Sequence, residues 1–153
     1  MGDIEIRWAK TQDIPRINSL TKEMHLYLGR MVGIRLSKKD LDDEEVNLSE
    51  LKGILVAENL KSGEVIGYIS FSPKPCYDEW YGKHIYLYEL TVTRSFRGKG
   101  IGEQLMGRFV SLCDKRGLNI KADTFIKNKR TVAFNKKFGF KPFMVYFKRS
   151  CER

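Results

Sequence analysis

The sequence has few of the residues that build metal centres and disulfide frameworks. Among its 153 residues only three are cysteine and two are histidine, and they lie far apart in the chain: Cys76, Cys113, Cys151, His25 and His84. Zinc sites and disulfide scaffolds need closely spaced pairs of such residues, so the sequence predicts neither a bound metal nor a disulfide framework. An odd number of scattered cysteines is typical of a reducing compartment, and we therefore expect a cytoplasmic protein.

Long apolar segments are missing as well. No stretch of the chain approaches the roughly 18 apolar residues of a membrane-spanning helix. The first ten residues, MGDIEIRWAK, carry acids where a secretory signal has an apolar core. Neither export nor a membrane partner is therefore expected. What the chain does have is 42% hydrophobic residues, which is enough for one packed domain spanning residues 1–153.

The positive charge of the chain is concentrated in one stretch. The net charge is +9, yet residues 94–141 carry thirteen Lys and Arg against three acids, and the remainder is close to neutral. A basic surface spread over the whole protein would favour a polynucleotide or an anionic lipid as partner. Concentration in one segment favours a discrete phosphorylated ligand, with nucleic-acid binding as the weaker alternative.

Hydrophobic periodicity predicts a mixed α/β order of elements, β-α-α-β-β-β-α-β-α-β. Alternating apolar residues and β-branched runs indicate strands, whereas apolar residues three and four apart indicate helices. The predicted strands are residues 3–9, 53–59, 64–72, 84–93, 118–125 and 141–149. The predicted helices are residues 14–28, 37–51, 101–116 and 128–138, and residues 73–83 are predicted as a loop.

A glycine-rich turn stands between a predicted strand and a predicted helix, in the sequence LTVTRSFRGKGIGEQLM. Gly98, Gly100 and Gly102 let an anion approach the backbone closely, and the N–H groups at the start of a helix attract negative charge. Arg97 and Lys99 add two full positive charges, so the turn predicts a pyrophosphate site. Its spacing fits neither the P-loop nor the Gly-x-Gly-x-x-Gly dinucleotide fingerprint, because the glycines are too close together.

Two motifs resemble those of the GCN5-related N-acetyltransferase (GNAT) family. RGKGIG matches the family signature Arg/Gln-x-x-Gly-x-Gly/Ala. NKRTVAFNKKFGF is similar to a later helix motif of the family, in register at Asn128, Phe134, Gly139 and Phe140. The resemblance implies an α/β fold with a mixed, mainly antiparallel sheet of about six to seven strands, flanked by about four helices. It also implies that strands four and five splay apart.

By this resemblance the phosphorylated ligand is acetyl-CoA. The family holds the pyrophosphate on backbone amides of the glycine turn. It pairs the pantetheine arm with the fourth strand, which bulges and splays from the fifth. An asparagine at the start of the later helix hydrogen-bonds the arm. The cofactor-binding residues that the resemblance implies are Leu90, Thr91, Val92, Arg97, Gly98, Lys99, Gly100, Ile101, Gly102, Asn128 and Asn135.

Acetyl transfer to an amine needs a base, because a primary amine with a pKa of about 10 is mostly protonated in neutral water. Glu89 lies inside an apolar strand, where some antibiotic acetyltransferases of the family place an acid. Asp123 in the predicted fifth strand is the second candidate, since similar ribosomal-protein acetyltransferases carry Glu there. Each has a structural alternative: Glu89 as a solvated or salt-bridged strand residue, and Asp123 as a helix-facing or loop-end carboxylate. A strand amide near Leu90 is expected to stabilise the thioester oxyanion.

Asn135 departs from the family pattern, which usually has a tyrosine there that protonates the leaving thiolate. An asparagine amide cannot release a proton at neutral pH. Three consequences stay open. Water or another group serves instead, a tyrosine such as Tyr86, Tyr88 or Tyr146 reaches the site, or the protein is an acyl-CoA-binding sensor with little turnover. Cys113 is predicted to face the core, which argues against an acetyl-cysteine route.

The acceptor site of the family is built from the first two helices and the loop before the fourth strand. In this chain those segments carry the acids Asp40, Asp42, Asp43, Glu44, Glu45, Asp78 and Glu79. We expect Tyr77, Trp80 and Tyr88 to bind the acceptor, because an acidic, aromatic rim suits a cation. A merely solvated acidic surface is the alternative.

The leading prediction is an enzyme, an acetyl-CoA-dependent N-acetyltransferase that works by direct attack in a ternary complex. The expected acceptor is a primary amine: a small amine or polyamine, an amino sugar, or a protein lysine or N-terminus. Dimers are frequent among similar proteins, so a homodimer is compatible with this prediction.

Overall fold

One mixed sheet organises the part of the chain that this computed structural model describes, residues 2–42 and 45–152. Its six strands are β1 (Ile4–Trp8), β2 (Ile54–Asn59), β3 (Glu64–Phe71), β4 (Cys76–Asp78), β5 (Gly82–Val92) and β6 (Asn119–Ala122). Along the sheet they follow the order β1-β2-β3-β5-β4, and β6 also pairs with β5. The β5–β6 pair is parallel and the other pairs are antiparallel.

Four helices flank this sheet within the described residues. They are α1 (Ile14–Val32), α2 (Lys38–Asp42), α3 (Ile101–Lys115) and α4 (Lys129–Lys137). Pro15 lies in the first turn of α1, where its missing N–H removes no helical hydrogen bond. Gly33 ends α1 with a φ of 75°, a left-handed conformation that glycine adopts without strain. No helix in the described part of the chain is long and apolar enough to cross a membrane.

The two faces of the sheet are covered by different helices. Neighbouring residues of β2 belong to different clusters, Leu55 to one and Val56 to the other, as expected where side chains alternate between faces. α3 covers the first face, where Phe109 packs in the cluster that contains Leu55. α1 covers the opposite face, where Ile17 packs in the cluster that contains Tyr68. Both faces of the central strands are therefore buried.

The predicted fold class is confirmed, with a mainly antiparallel sheet of six strands flanked by four helices. The predicted splay is present between β5 and β6, which are the fourth and fifth strands of the sequence prediction. β6 ends opposite Leu87, whereas β5 continues to Val92. The extra strand β4 has only three residues, which is too short for its periodicity to be recognised in the loop predicted at residues 73–83.

Two predicted elements are wrong in extent or kind. Residues 141–149 were expected to form a strand, but they have no regular structure because no other described strand supplies hydrogen bonds to them. The helix predicted at residues 37–51 is divided into α2 and a 3-10 turn, Leu48–Gly53. That turn starts separately because the Asn47 side chain accepts a hydrogen bond from Ser49 N–H at 3.0 Å. The strand predicted at residues 118–125 is confirmed but ends at Ala122.

Candidate active site

A bulge divides β5 into two differently paired halves. Ser70 of β3 pairs with Glu89, but the next residue, Phe71, pairs with Leu87, so Tyr88 is an extra residue on β5. Before the bulge β5 is bordered by β6, whose pairing ends at Leu87. After the bulge, residues 88–92 have β3 on one edge and no strand of the described chain on the other. This unpaired stretch is called the free edge of β5 below.

The free edge presents backbone groups of two of the predicted residues. Thr93 N–H donates to Ile66 C=O at 2.7 Å, which fixes the alternation of hydrogen-bonded pairs between β3 and β5. The N–H and C=O groups of Leu90 and Val92 consequently point away from β3, toward the free edge. The side chain of Leu90 packs against the core and Thr91 is buried. The free edge therefore offers mainly its backbone to a ligand.

The glycine turn begins where β5 ends and leads into α3. Gly98 and Gly100 have φ values of 75° and 79°, a region where other residues are strained. The hydrogen bonds of α3 begin with Gln104 N–H donating to Gly100 C=O at 3.1 Å. The amides of residues 98–103 have no main-chain acceptor in the described chain. A row of free N–H groups at a helix N-terminus is a site for an anion.

The two cations of the turn have different surroundings. Arg97 Nε donates to Val92 C=O at 2.9 Å, and the Arg97 amide donates to Arg94 C=O at 3.3 Å. Arg97 therefore ties the turn to the end of β5, and the free amides begin one residue later. Lys99 is exposed, with its Nζ 4.8 Å from the centre of the Phe96 ring. Its charge is available to a ligand on the turn.

α4 packs against the first turn of α3. A Cβ atom at Gly102 would lie 3.8 Å from the Phe134 ring, which is ordinary contact distance. Asn128 caps α4, since its Oδ1 accepts from Thr131 N–H at 3.2 Å, and its NH₂ group is left to donate elsewhere. Asn135 lies two turns further along α4 and is half-buried. The predicted asparagines thus lie on the helix that borders the glycine turn.

Glu89 is held by two side chains from other elements. Its Oε1 lies 2.7 Å from Nε2 of His25 on α1, and its Oε2 accepts from the hydroxyl of Tyr68 on β3 at 2.5 Å. An ionised carboxylate only accepts hydrogen bonds, so His25 Nε2 carries the hydrogen in this contact. The Tyr68 hydroxyl lies in turn 2.6 Å from Thr21 Oγ1. The Glu89 side chain remains 22% exposed, so a fixed carboxylate faces solvent one residue before the free Leu90 amide.

The sequence interpretation missed His25 and Tyr68. They are 64 and 21 residues from Glu89 along the chain, and no local motif contains them. Tyr68 is buried in the apolar strand β3. A buried hydroxyl needs a hydrogen-bond partner, and that requirement is the signal that could have identified it. For His25 the sequence offers no comparable signal, because it lies between Met24 and Leu26 in α1 and belongs to no motif.

Asp123 lies directly after β6 and accepts a hydrogen bond from the Tyr86 hydroxyl at the start of the splay. Burial raises the pKa of Tyr86, and the hydrogen bond to Asp123 raises it further. The rings of Tyr86 and Tyr88 are 5.3 Å apart, and burial also raises the pKa of Tyr88. Both hydroxyls therefore keep their protons at neutral pH, as a proton donor must.

Two predicted acceptor residues lie away from this region. Tyr77 on β4 pairs with Lys83, six residues before Glu89, which is about 20 Å along a strand. Trp80 lies in the turn that follows β4 and is exposed. The structure does not bring Tyr77 or Trp80 to Glu89, whereas Tyr88 is its neighbour in the chain.

Part of the predicted acidic rim already has protein partners. Asp78 accepts from Lys121 Nζ at 2.8 Å and from the N–H groups of Trp80 and Tyr81, and the Lys121 contact is the main reason that the pKa of Asp78 is lowered. Asp40 accepts hydrogen bonds from Ser37 at the start of α2. Two further predicted acids, Asp43 and Glu44, lie outside the described residues.

Sequence comparisons match known acetyltransferases over most of the chain. A profile described as the acetyltransferase (GNAT) family matches residues 24–140. The thialysine N-epsilon-acetyltransferase of Bos taurus is 29% identical over 148 residues, covering 91% of this chain and 85% of that protein.

Solved structures share the fold at lower sequence identity. A protein from Pyrococcus furiosus has a TM-score of 0.76 at 22% identity, covering 97% of this chain and 99% of that chain. AAC(6')-Iy in complex with the bisubstrate analogue CoA-S-monomethyl-acetylneamine has a TM-score of 0.68 at 19% identity, again covering 97% and 99%. At these identities the likeness concerns the fold alone.

Proposed function

Because the chain belongs to the acetyltransferase (GNAT) family, we propose that it transfers the acetyl group of acetyl-CoA to a primary amine. The proposal rests on three features that lie next to one another. The free edge of β5 runs directly into the glycine turn with its free amides, and the held carboxylate of Glu89 lies beside that edge. A ligand that is a diphosphate at one end and an amide-containing arm at the other matches this succession of groups.

The residues of the turn and strand have separate tasks in donor binding. The amides of residues 98–103, with the charge of Lys99, hold the diphosphate. The C=O group of Leu90 and the N–H of Val92 pair with the arm as a neighbouring strand would, which leaves the Leu90 N–H for the thioester oxygen. Arg97 occupies the Val92 carbonyl and keeps the turn in place. The NH₂ group of Asn128 is free to donate to the arm.

Glu89 serves as the base in this proposal. An ammonium group must lose a proton before its nitrogen can attack a thioester, and a carboxylate or a water that it orders can take that proton. His25 and Tyr68 hold the carboxylate in one orientation, because each contacts one of its oxygens. Leu90 N–H stabilises the charge that develops on the thioester oxygen. Tyr86 and Tyr88, which both retain their protons, are the candidates to protonate the departing thiolate in place of Asn135.

The acceptor class is inferred from the relatives and from the charge of the site. The bovine relative is named for thialysine, and the AAC(6')-Iy structures belong to an aminoglycoside N-acetyltransferase. Both names describe transfer to an amine of a polar, cationic molecule. The partly exposed carboxylate of Glu89 and the aromatic ring of Tyr88 suit the same class. We therefore propose a primary amine on a lysine-like, polyamine or amino-sugar acceptor.

Free-thiol release tests the proposal directly. The purified chain is mixed with acetyl-CoA and a panel that contains lysine, thialysine, spermidine, an aminoglycoside and a lysine-containing peptide. At least one amine is expected to release CoA thiol in proportion to acetylated product measured by mass spectrometry. Calorimetry with CoA, run in parallel, measures donor binding independently of turnover.

Two results would contradict parts of the proposal. Absence of heat with CoA, while another nucleotide binds, would overturn the donor assignment. Binding of CoA without thiol release from any amine would instead favour an acyl-CoA sensor, which the asparagine at position 135 makes the relevant alternative.

A further inference from the structure

A chain of hydrogen bonds leads from Glu89 into the interior of the protein. The Tyr68 hydroxyl lies 2.5 Å from Glu89 Oε2 and 2.6 Å from Thr21 Oγ1. Thr21 Oγ1 lies in turn 3.0 Å from the C=O group of Ile17. The carboxylate is partly exposed, whereas Tyr68, Thr21 and Ile17 are buried. The carboxylate, the two hydroxyls and this carbonyl are called the hydroxyl chain below.

Packing of the core does not by itself require the two hydroxyls. Tyr68 belongs to the apolar cluster covered by α1, and the ring of a phenylalanine would fill the same space. Thr21 is buried on α1, where a valine would have nearly the same shape. Burying a hydroxyl lowers stability unless it is hydrogen-bonded. The two hydroxyls therefore indicate a role in hydrogen bonding rather than in filling the core.

While Glu89 is ionised, the hydroxyl chain has two hydrogens for its three contacts. Each hydroxyl carries one hydrogen, and an ionised carboxylate and a carbonyl only accept. Tyr68 then donates to Glu89, and Thr21 donates to Tyr68. The contact between Thr21 and Ile17 consequently carries no hydrogen. The Ile17 carbonyl does not depend on it, because a carbonyl inside a helix also accepts a main-chain hydrogen bond.

A proton on Glu89 supplies the third hydrogen. With the proton on Oε2, Glu89 donates to the Tyr68 hydroxyl, and Tyr68 donates to Thr21. Thr21 then donates to the Ile17 carbonyl at 3.0 Å. All three contacts carry a hydrogen while the oxygen atoms keep their positions. Both forms of the carboxyl group are therefore hydrogen-bonded, which suits a group that takes up and releases a proton in every cycle.

We propose that Tyr68 and Thr21 are positioning residues for the base, and that the hydroxyl chain reverses its direction when Glu89 takes the proton of the acceptor. An N–H bond of the acceptor ammonium breaks, an O–H bond forms on Glu89, and the two hydroxyl hydrogens turn toward the interior. The proton later leaves for solvent from the exposed side of the carboxyl group, and the hydroxyl hydrogens turn back. This inference rests on the proposed function, because it takes Glu89 as the base.

Thr21→Val in the full chain tests the proposal. It removes the end of the hydroxyl chain and keeps the contact of Tyr68 with Glu89. When Glu89 is protonated, the hydrogen of the buried Tyr68 hydroxyl has then lost its Thr21 acceptor, which disfavours proton uptake. We expect kcat to fall about 3- to 10-fold at neutral pH, with unchanged KM for acetyl-CoA and unchanged CoA affinity in calorimetry. Thr21→Ser keeps the hydroxyl and should restore most of the lost turnover.

The same two substitutions in Glu89→Gln separate this role from general damage to the site. Without the base there is no proton uptake to support, so Thr21→Val should change the residual kcat by less than about twofold. The proposal is wrong if Thr21→Val lowers kcat by the same factor with and without Glu89, or if the wild-type kcat is unaffected. It is also wrong if Thr21→Ser is as slow as Thr21→Val.

Nuclear magnetic resonance of the Glu89 carboxyl carbon tests the hydroxyl chain without turnover, with Glu89→Gln identifying the signal. Because the chain stabilises the protonated form, Glu89 should titrate about half a pH unit to one unit lower in Thr21→Val than in the wild type and Thr21→Ser. Its ionisable neighbours, His25 on α1, Tyr68 on β3 and Tyr88 on β5, are the same in all three proteins. Identical titrations would overturn the proposal. A shifted titration in a protein that releases no CoA thiol would support the hydroxyl chain and contradict the proposed function instead.

Discussion

At the scale of single residues, the distinguishing feature of Glu89 is that two neighbouring side chains fix the orientation of its carboxylate. Its two oxygens contact His25 and Tyr68, so the carboxylate has a fixed direction while part of it stays in solvent. Glu89→Gln keeps the shape but removes the charge that takes up a proton. We expect kcat to fall about 100-fold or more at neutral pH, the contribution typical of a general base, and CoA affinity to stay unchanged in calorimetry.

The matched control for this change is Glu5→Gln. Glu5 is exposed on β1, at the opposite end of the sheet from the free edge of β5, so this substitution removes the same charge away from the site. Its kcat should equal that of the wild type. Normal turnover of Glu89→Gln would exclude Glu89 as the base and make Asp123 the candidate to test next.

Cys113 gives a second prediction at this scale. It lies in α3 among core residues, as the sequence indicated, and burial raises the pKa of its thiol to about 11. A thiol reacts as its thiolate, which forms only as the pH approaches the pKa, so Cys113 should be inert at pH 8. In a disulfide-exchange titration the exposed Cys151 should react first, and Cys113 only after denaturation. Cys151→Ser should remove the fast phase, and fast labelling of Cys113 in the native protein would contradict its burial.

At the scale of elements, the glycine turn depends on backbone conformation and on space for an anion. Gly100→Glu introduces a side chain at a φ of 79° and places a negative charge beside the free amides. We expect CoA binding to be lost in calorimetry, because both changes oppose a diphosphate at the helix start. Gly63→Glu is the control, since Gly63 has a similar φ of 70°, open space around it and a place in the distant β2–β3 hairpin. If both variants bind CoA equally well, the turn is not the diphosphate site.

The elements also show what the sequence could and could not reveal. The glycine turn, β5 and α3 were predictable because their signals are local: glycine where φ is positive, apolar runs, and a helix stripe. The contact of Glu89 with His25 was not predictable, because it joins α1 to β5 and forms only when the helix packs on the sheet. β4 has three residues, too few for a pattern. The predicted strand at residues 141–149 failed because strand preference does not supply a neighbouring strand.

At the scale of the whole molecule, charge separates the chain into two parts with different roles. The basic excess lies in residues 94–141, which include the glycine turn, α3 and α4. The earlier part has a near balance of charges, and there an ion cluster joins three elements. Arg7 of β1 contacts Asp13 at 2.7 Å, just before α1, and Glu58 of β2 at 2.5 Å. This cluster ties the start of α1 to the edge of the sheet.

The ionisation of Asp13 makes the stability that this cluster contributes depend on pH. Burial by itself would raise the pKa of Asp13, but the hydrogen bonds from Arg7 and Lys10 N–H and the charge of Arg7 outweigh it, so its pKa is lowered on folding. A carboxyl with a lowered folded pKa adds stability above its unfolded pKa of about 3.9 and loses that stability as the pH falls through the folded value. We expect Asp13→Asn to reduce the free energy of unfolding at pH 7 by about 1–3 kcal/mol, because Arg7 loses a charged partner.

Urea unfolding of the wild type and of Asp13→Asn at pH 7, 5, 4 and 2.5 measures this linkage. The stability difference should be constant from pH 7 to 5 and shrink below pH 4, since a protonated Asp13 resembles the amide. Asp3→Asn is the control: Asp3 pairs with Lys61 in solvent and should change stability by less than about 1 kcal/mol. If the difference in unfolding free energy between Asp13→Asn and the wild type persists unchanged at pH 2.5, the stabilisation does not come from the charge of Asp13. The buried position of the side chain would then matter more than its ionisation.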